Sequence, residues 1–448
     1  MPIRARVGRH ANTGRQCQNW KDDQETVIKL LNAIPADKGG AAGSIGGRVI
    51  GGISSDALYQ AILLYQSQNF PGGQTGFVEP GGPMIAKLGL PAPKPAPAPP
   101  KPAGQWSDLK TKSVIKGLND GLDGDLRLSH AEVVNIVRAT LSDGIITADE
   151  IADLDIVSTK SRSIESRSRR MLDMLIAKIR KSPFGKGPYS LATSRQRTAA
   201  DMACDFLERN GATSFPYLDR MDVGTGLLMR IASPGTFNQD QAGLCGPASL
   251  LYNVASDNPV AFARYAIDLF EKGKAKIDQW EIEPGSDLRN YMPPESIDHV
   301  DWLTMASIRD SSNWFFDYQS ISDSGGSTSR EITHWFERSG YVDVRNETNR
   351  VYSADADAID SANELFDKGY RIILRINANM LYEEKQSTEG KGNHVVALRS
   401  RIDRSGGKVR LKVFTWGQDN YAIPHGAKDL SLEDFLANFY GYVAGKPY

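Results

Sequence analysis

The segment GNHVVALRSRIDRSGGKVRLKVFTWG, residues 392–417, decides the fold class of the C-terminal part of the chain. Apolar and polar residues alternate along both halves of it, which is typical of β-strands. A polar, glycine-containing turn at 403–407 divides the halves. The apolar positions are Val396, Leu398 and Ile402 before the turn, and Val409, Leu411 and Val413 after it. The segment therefore predicts a β-hairpin, and with it an antiparallel sheet.

The sequence around this hairpin predicts an α+β domain. Helical patterns come first along the chain, at 246–274 and 328–339. Further strand-like runs follow, namely YVDVRN, YRIILRIN and a segment near FYGYVAG. Helices followed by antiparallel strands are typical of α+β domains, in which a site lies between the two layers. We expect this domain to span residues 195–448.

One of the three cysteines lies in NQDQAGLCGPASLLYN, residues 238–253, directly before a helical pattern. Pro247 suits the first turn of a helix, and Gly246 lets a substrate backbone approach. A sulfur at the N-terminus of a helix has its pKa lowered by the helix dipole. The pattern thus predicts that Cys245 is a nucleophile. Taken alone, a single cysteine is more often a small buried hydrophobic residue, so the prediction depends on its partners.

Two kinds of partner are present in the sequence. A thiolate that attacks a carbonyl needs a donor for the developing oxyanion, and a side-chain amide upstream can share that task with the backbone N–H of the cysteine. Gln239 lies six residues before Cys245, and Gln241 lies four before it. Of the six histidines, His394 has the expected setting, at the start of the hairpin and far downstream of the cysteine.

These features resemble the papain-like cysteine peptidases, including the bacteriocin-processing type, in which Q-x5-C-G precedes an apolar helix and a distant histidine begins a strand. The resemblance implies that Cys245 is the nucleophile and His394 its base. It implies that Gln239, rather than Gln241, is the oxyanion donor. The C-terminal domain is accordingly expected to be papain-like, with neither a metal nor a cofactor.

The chain departs from that family at the end of the hairpin. Papain-like enzymes have Asn-Ser-Trp-Gly there, whereas residues 414–417 read FTWG. Phe414 cannot accept the imidazole N–H, so either Thr415, Gln418 or Asp419 orients His394, or a Cys–His dyad suffices. Asp419 is chemically the strongest of the three, because a carboxylate fixes the tautomer and stabilises the imidazolium.

The proline-rich stretch at 91–104 predicts a semi-rigid polyproline II linker. It would separate an N-terminal module, residues 1–90, from the rest of the chain. Three helical patterns predict an all-α, three-helix module, and Ser55 is a plausible cap for the second helix. The order of helices and glycine turns, with Ala61, Ile62, Tyr65 and Gln66 as the A-I-x-x-[FY]-Q pattern, resembles the peptidoglycan-binding-domain-1 family. The alternative is a small helical interaction module without affinity for glycans.

Residues 105–194 predict a helical middle region. Two segments in it fit D-x-x-[LI]-[ST]-x-x-E, which resembles the back half of a calcium-binding loop. Too many of the oxygen ligands needed between 121 and 150 are missing. The same letters predict capping boxes, formed by Ser129 with Glu132 and by Thr147 with Glu150.

Composition limits the classes of partner. Lys and Arg number 53 against 54 Asp and Glu, a net charge of −1, which gives no global attraction to nucleic acids or anionic membranes. Three cysteines without paired spacing argue against a disulfide framework. We expect no membrane span and no classical export signal, hence synthesis in the cytoplasm.

A wall-binding-like module, a stiff linker and a papain-like hydrolase together resemble antibacterial effectors of the type VI secretion system. This resemblance implies injection into the periplasm of a target cell, a cognate immunity protein and a component of the secretion apparatus as partners, and peptidoglycan as the ligand of the N-terminal module. The target would be an amide bond of peptidoglycan peptide stems or of a periplasmic protein. Two alternatives remain, a cysteine-dependent deamidase or transglutaminase acting on a target-cell protein, and a non-catalytic cell-wall-binding protein.

Overall fold

A computed structural model describes most of the 448 residues. The described ranges are 3–11, 16–47, 49–70, 74–88, 106–121, 128–160, 164–181, 189–240, 242–312, 327–348, 354–382, 392–426 and 429–447. The chain divides into two compact units, Met1–Pro100 and Lys101–Tyr448. The division falls within the predicted linker, whose residues lie outside the described ranges.

The smaller unit contains the three predicted helices and, in addition, a two-stranded antiparallel pair that the sequence did not indicate. Its elements are β1 (Val7–Gly8), α1 (Lys21–Asn32), α2 (Asp56–Asn69), β2 (Phe77–Val78) and α3 (Pro83–Lys87). Ser55 caps α2 as predicted, since its side chain accepts a hydrogen bond from the Leu58 N–H. Gln66, the glutamine of the A-I-x-x-[FY]-Q pattern, has a structural role. Its Nε2 donates to the Phe77 carbonyl at 2.8 Å, and its Oε1 accepts from the Gly76 N–H at 2.9 Å. The glutamine thus ties α2 to β2.

The larger unit is mixed α and β. Its helices are α4 (Lys112–Gly121), α5 (His130–Thr140), α6 (Ala148–Lys160), α7 (Ser166–Lys181), α8 (Ser194–Glu208), α9 (Arg220–Ala232), α10 (Cys245–Asp257), α11 (Pro259–Lys272), α12 (Ser286–Arg289), α13 (His299–Asp301), α14 (Ser307–Ser312), α15 (Ser329–Arg338), α16 (Ala356–Asp367) and α17 (Leu432–Ala437). Its strands are β3 (Ile145–Ile146), β4 (Tyr189–Ser190), β5 (Ala275–Ile277), β6 (Trp280–Ile282), β7 (Val342–Thr348), β8 (Arg371–Ile376), β9 (His394–Leu398), β10 (Lys408–Val409), β11 (Leu411–Thr415), β12 (Gln418–Ile423), β13 (Leu430–Ser431) and β14 (Phe439–Lys446).

The predicted antiparallel sheet is present. It has six strands in the order β12-β11-β9-β8-β14-β7, and every neighbouring pair is antiparallel. The predicted hairpin forms its β9–β11 pair, with Val413 opposite Leu398. Alternate residues face two different cores, so that Val395 and Ala397 belong to the core that contains α10, while Val396 and Leu398 belong to the core that contains α16 and α17. The sheet is therefore covered by helices on both faces.

The helices of the predicted middle region, 105–194, do not form a core of their own. One hydrophobic core runs continuously from Trp106 through α10 to Val443 of β14. His130 of α5 is hydrogen-bonded to the Leu207 carbonyl of α8 at 2.8 Å, and α8 itself crosses the predicted boundary at 194/195. That boundary therefore separates no compact units, because helix-start patterns are local and do not reveal which core a helix joins.

Both predicted capping boxes are present at the starts of α5 and α6. The Ser129 side chain accepts from the Glu132 N–H, and the Glu132 carboxylate accepts from the Ser129 N–H. Thr147 and Glu150 make the same reciprocal pair. The Glu150 carboxylate also accepts a hydrogen bond from Ser113. These acidic side chains thus begin helices, as the capping-box interpretation of the two repeated segments predicts.

None of the helices within the described ranges is long and apolar enough to cross a lipid bilayer.

Candidate active site

Cys245 is the first residue of α10, a helix that is buried along most of its length. The residue after it has to be glycine. A Cβ at Gly246 would lie 2.3 Å from Ser327 Oγ and 3.0 Å from the Trp335 ring. The Ala248 N–H donates to the Leu244 carbonyl at 2.9 Å, which closes the first turn of the helix around the cysteine. The sequence GP after Cys245 thus reflects both tight packing and a helix start.

The Cys245 sulfur is enclosed, with the residue only 7% exposed. The backbone N–H groups of Val395 and Gly246 lie close enough to the sulfur to favour its ionised form. Burial raises the pKa of the thiol above its ordinary value, and these N–H groups together with the charge of Arg375 lower it only in part. The helix N-terminus therefore does not by itself produce a thiolate, and the resting side chain is a thiol at neutral pH.

His394 begins β9, directly before the residue whose N–H reaches the sulfur. It is also 7% exposed, and burial lowers the pKa of its imidazole to about 4. Its ring lies against Trp416, with 5.1 Å between the ring centroids. At neutral pH the ring is uncharged, and one nitrogen can act as a base. The His394 ring is hydrogen-bonded to Thr415, and the part of the chain that the structure describes shows no hydrogen bond between His394 and Cys245.

The residue that orients the imidazole is Thr415, and not Asp419. Thr415 Oγ1 lies 3.1 Å from His394 Nε2. Asp419, the strongest candidate on chemical grounds, instead accepts hydrogen bonds from Arg399 at 2.8 Å and Tyr252 at 3.2 Å. The reason is geometric: Trp416 has a positive φ of 44° and the following Gly417 one of 70°, so the chain turns sharply and carries Asp419 away from the ring.

Gln239 lies in a tight loop before α10. The Ala242 N–H donates to the Gln239 carbonyl at 3.1 Å, and the next residue, Asp240, has a positive φ of 49°. The side chain is 5% exposed, yet its Oε1 has no hydrogen-bond partner among the described residues. Gln241 lies outside those residues. A buried amide with an unmet acceptor is costly unless a polar group arrives to bind it.

A buried ion pair, which the sequence reasoning missed, anchors this loop. Arg230 of α9 donates through Nε to Asp301 Oδ1 at 2.9 Å, and the other oxygen of Asp301 accepts the Asn238 N–H at 2.9 Å. Arg230 also contacts Asp298 at 2.7 Å. An arginine inside the apolar run LLMRIA was the available signal, since a charge in such a run is buried only with a partner. The partner itself lies far away in sequence.

The loop before α10 meets the turn after β11. A Cβ at Gly417 would lie 3.3 Å from the Asn238 side chain, so glycine permits the two segments to touch. Beside this contact lies a pocket of about 430 Å³, whose lining includes Lys178, Arg230, Asn238, Asp298, Trp416 and Gly417. The structure thus packs α10, which begins with Cys245, against β9, which begins with His394, and joins His394 to Thr415 of β11, with the Gln239 loop against the turn that carries Trp416.

Within the described ranges, no group of three or more His, Cys, Asp or Glu side chains is arranged to hold a metal ion. Cys17, Cys204 and Cys245 are not joined by disulfide bonds.

A comparison of the chain with protein-family models, with curated proteins and with solved structures finds no match. Any function assigned to the site therefore rests on the geometry described above.

Proposed function

We propose that the larger unit is a cysteine hydrolase that cleaves an amide bond, with Cys245 as nucleophile and His394 as base. One observation carries the proposal: a cysteine at the N-terminus of a buried helix packs against a strand that begins with a histidine, and a hydroxyl orients that histidine. The papain-like family remains a finer proposal, based on the sequence motif.

The mechanism follows from the protonation states of the pair. Because the resting thiol and imidazole are both neutral, the sulfur becomes nucleophilic when the imidazole takes its proton. In the proposed mechanism Nε2 carries the ring proton and donates it to the Thr415 hydroxyl, 3.1 Å away, so that Nδ1 is the base. Attack forms a C–S bond and a tetrahedral oxyanion. The proton on the imidazole then passes to the leaving amine as the C–N bond breaks, which leaves a thioester.

Water completes the cycle. The imidazole takes a proton from the water molecule as its oxygen attacks the thioester, and the sulfur leaves and regains that proton. In both tetrahedral states the oxyanion needs donors. We assign these to the backbone N–H of Cys245 and to the side-chain N–H groups of Gln239, a role for Gln239 that rests on the sequence motif.

We further propose that the chain acts as an antibacterial effector that is injected into the periplasm of a target cell. The N-terminal module would bind peptidoglycan, and the producing cell would hold an immunity protein. Peptide stems of peptidoglycan and periplasmic proteins are the two substrate classes considered. This part of the proposal rests on the resemblance of the sequence alone.

The Thr415 contact gives a first prediction. Thr415→Val keeps the shape of the side chain but removes the hydroxyl, so the imidazole loses its orienting bond, and we expect the hydrolysis rate to fall by about tenfold. Thr415→Ser keeps the hydroxyl and should retain most of the activity. Equal rates for the valine variant and the wild type would show that the hydroxyl does not position His394.

The test of the proposed function is to incubate the full chain with isolated sacculi and, separately, with a periplasmic extract, and to analyse the products by mass spectrometry. Hydrolysis predicts paired fragments whose summed mass exceeds that of the parent by one water molecule. Deamidation would change a product by about one mass unit without cleavage, and transglutamination would join two molecules with loss of ammonia. Either of these results, or no change that depends on Cys245, contradicts the hydrolase.

A further inference from the structure

A cavity of about 590 Å³ lies where α7 and α9 begin, since the first residue of each helix, Ser166 and Arg220, lines it. The loop that carries Gln239 follows the other end of α9, so the cavity is separate from the proposed active site. Four of its lining residues are arginines and one is an aspartate, namely Arg167, Arg170, Arg209, Arg220 and Asp219. The chain as a whole carries a net charge of only −1, so this cavity is a local concentration of positive charge.

The carboxylates that contact these arginines are fewer than the arginines. Glu271 of α11 is shared, since it accepts hydrogen bonds from Arg209 at 3.0 Å and from Arg220 at 2.8 Å. Asp219 lies 3.5 Å from a terminal nitrogen of Arg170. Within the described ranges, four guanidinium groups thus have two carboxylates in contact with them, which leaves two positive charges without a partner in contact.

Arg167 shows the effect of this excess most directly. One of its terminal nitrogens donates to two backbone carbonyls at the end of α8, at 3.1 and 2.7 Å, and it makes no ion pair with a carboxylate among the described residues. Burial and the charge of Arg220 lower the pKa of Arg167, and the carboxylates of Glu165 and Asp219 offset this only in part. The surroundings therefore disfavour the charge of Arg167, and a bound anion would remove that penalty.

A structural role at the end of α8 explains part of this cluster. Arg167 and Arg220 both donate to its last carbonyls, where the helix dipole is negative. Arg220 is only 9% exposed, and its guanidinium packs over the rings of Phe206 and Phe270, so it belongs to the core. Capping of α8 does not account for Arg170, nor for the N-termini of α7 and α9, which add positive partial charge at the same cavity.

We propose that this cavity binds a small organic phosphate, whose phosphate group is held by Arg167 and Arg170. These two arginines are three residues apart on α7 and therefore lie on the same side of the helix. A phosphate monoester carries close to two negative charges at neutral pH and has three acceptor oxygens, so it matches two planar guanidinium forks better than a carboxylate does. The cavity leaves room for an organic group beside the phosphate. This site goes beyond the proposed function and does not depend on it.

The experiment titrates the full chain with phenyl phosphate and, separately, with benzoate by isothermal titration calorimetry at pH 8 and constant ionic strength. We expect saturable binding of one phenyl phosphate per chain, and weaker binding of the singly charged benzoate. Arg167→Gln should weaken the binding of phenyl phosphate roughly tenfold, because it removes one charged fork. The matched control is Arg180→Gln on the same helix, an exposed arginine that is paired with Asp155 at 2.8 Å, and it should leave the affinity unchanged.

Three results overturn the site: no saturable binding, equal affinities for benzoate and phenyl phosphate, or wild-type affinity in Arg167→Gln. Because Arg167 also caps α8, its variant can fail to fold. Arg170→Gln then decides, since this side chain is 58% exposed and its replacement should weaken binding to a similar extent. Wild-type affinity in that variant counts against the site. The titration requires no hydrolysis, so the site and the proposed function can fail independently of each other.

Discussion

Exported to the periplasm of a Gram-negative test strain, the wild-type chain should stop growth, whereas Cys245→Ala and His394→Ala should not. Removing a nucleophile or its base typically lowers a catalysed rate by a factor on the order of 10⁴ to 10⁶. Such a loss leaves too little activity to damage the cell. Viable counts after induction, with and without an added export signal, measure the effect and its compartment.

The matched control for this experiment is Cys204→Ala. Cys204 is also a buried cysteine on a helix of the larger unit, but it lies in α8 within the main core. Its replacement should keep the growth defect, which separates loss of the nucleophile from general loss of a thiol. Growth arrest by the Cys245→Ala variant, at equal protein level, would contradict catalysis by this cysteine in the periplasm.

Asp301→Asn should lower the free energy of unfolding by about 2 to 3 kcal/mol, because Arg230 loses the fully buried one of its two carboxylate partners and keeps only Asp298. Asp301 is fully buried against Arg230, which is only 4% exposed. The substitution keeps the shape of the side chain, so the loss is electrostatic. Urea unfolding followed by circular dichroism at neutral pH measures it.

A double variant, Arg230→Met with Asp301→Leu, serves as the control. Replacing both partners by apolar residues removes the buried charge of Arg230, and Asp298 keeps Lys178 as a partner at 2.7 Å, so the double variant should cost less than the single substitution. It still removes the acceptor of the Asn238 N–H, and activity should therefore remain low even where stability recovers. A single variant within 1 kcal/mol of the wild type would show that the pair is not what holds the loop.

The parts of the fold that the sequence predicted are those with a strong local pattern. The alternation in β9 and β11 and the glycine-containing turn between them predicted the hairpin, and both capping boxes begin helices. β12 was missed, because its first residues, Gln418 to Asn420, are exposed and polar and show no apolar alternation. The shared core of the larger unit was missed as well, since it depends on contacts between helices distant in sequence.

In the candidate site, too, the residues with a strong local sequence signal were predicted, and those that depend on distant contacts were not. Cys245 and His394 each stand at the start of an element, where local sequence signals are strong. The choice between Thr415 and Asp419 depended on the direction of the chain after the strand, which positive φ values at Trp416 and Gly417 determine. The close approach of Ser327 to Gly246 depends on the packing of segments distant in sequence, which no sequence spacing reports.

The raised pKa of the Cys245 thiol has a consequence for its resistance to oxidation. Peroxide and disulfides react with the thiolate and hardly at all with the thiol. A cysteine kept protonated until a base takes its proton is thus protected from oxidation while no substrate is bound. Under the proposed route of delivery, the enclosed cysteine would cross an oxidising compartment in its reduced form.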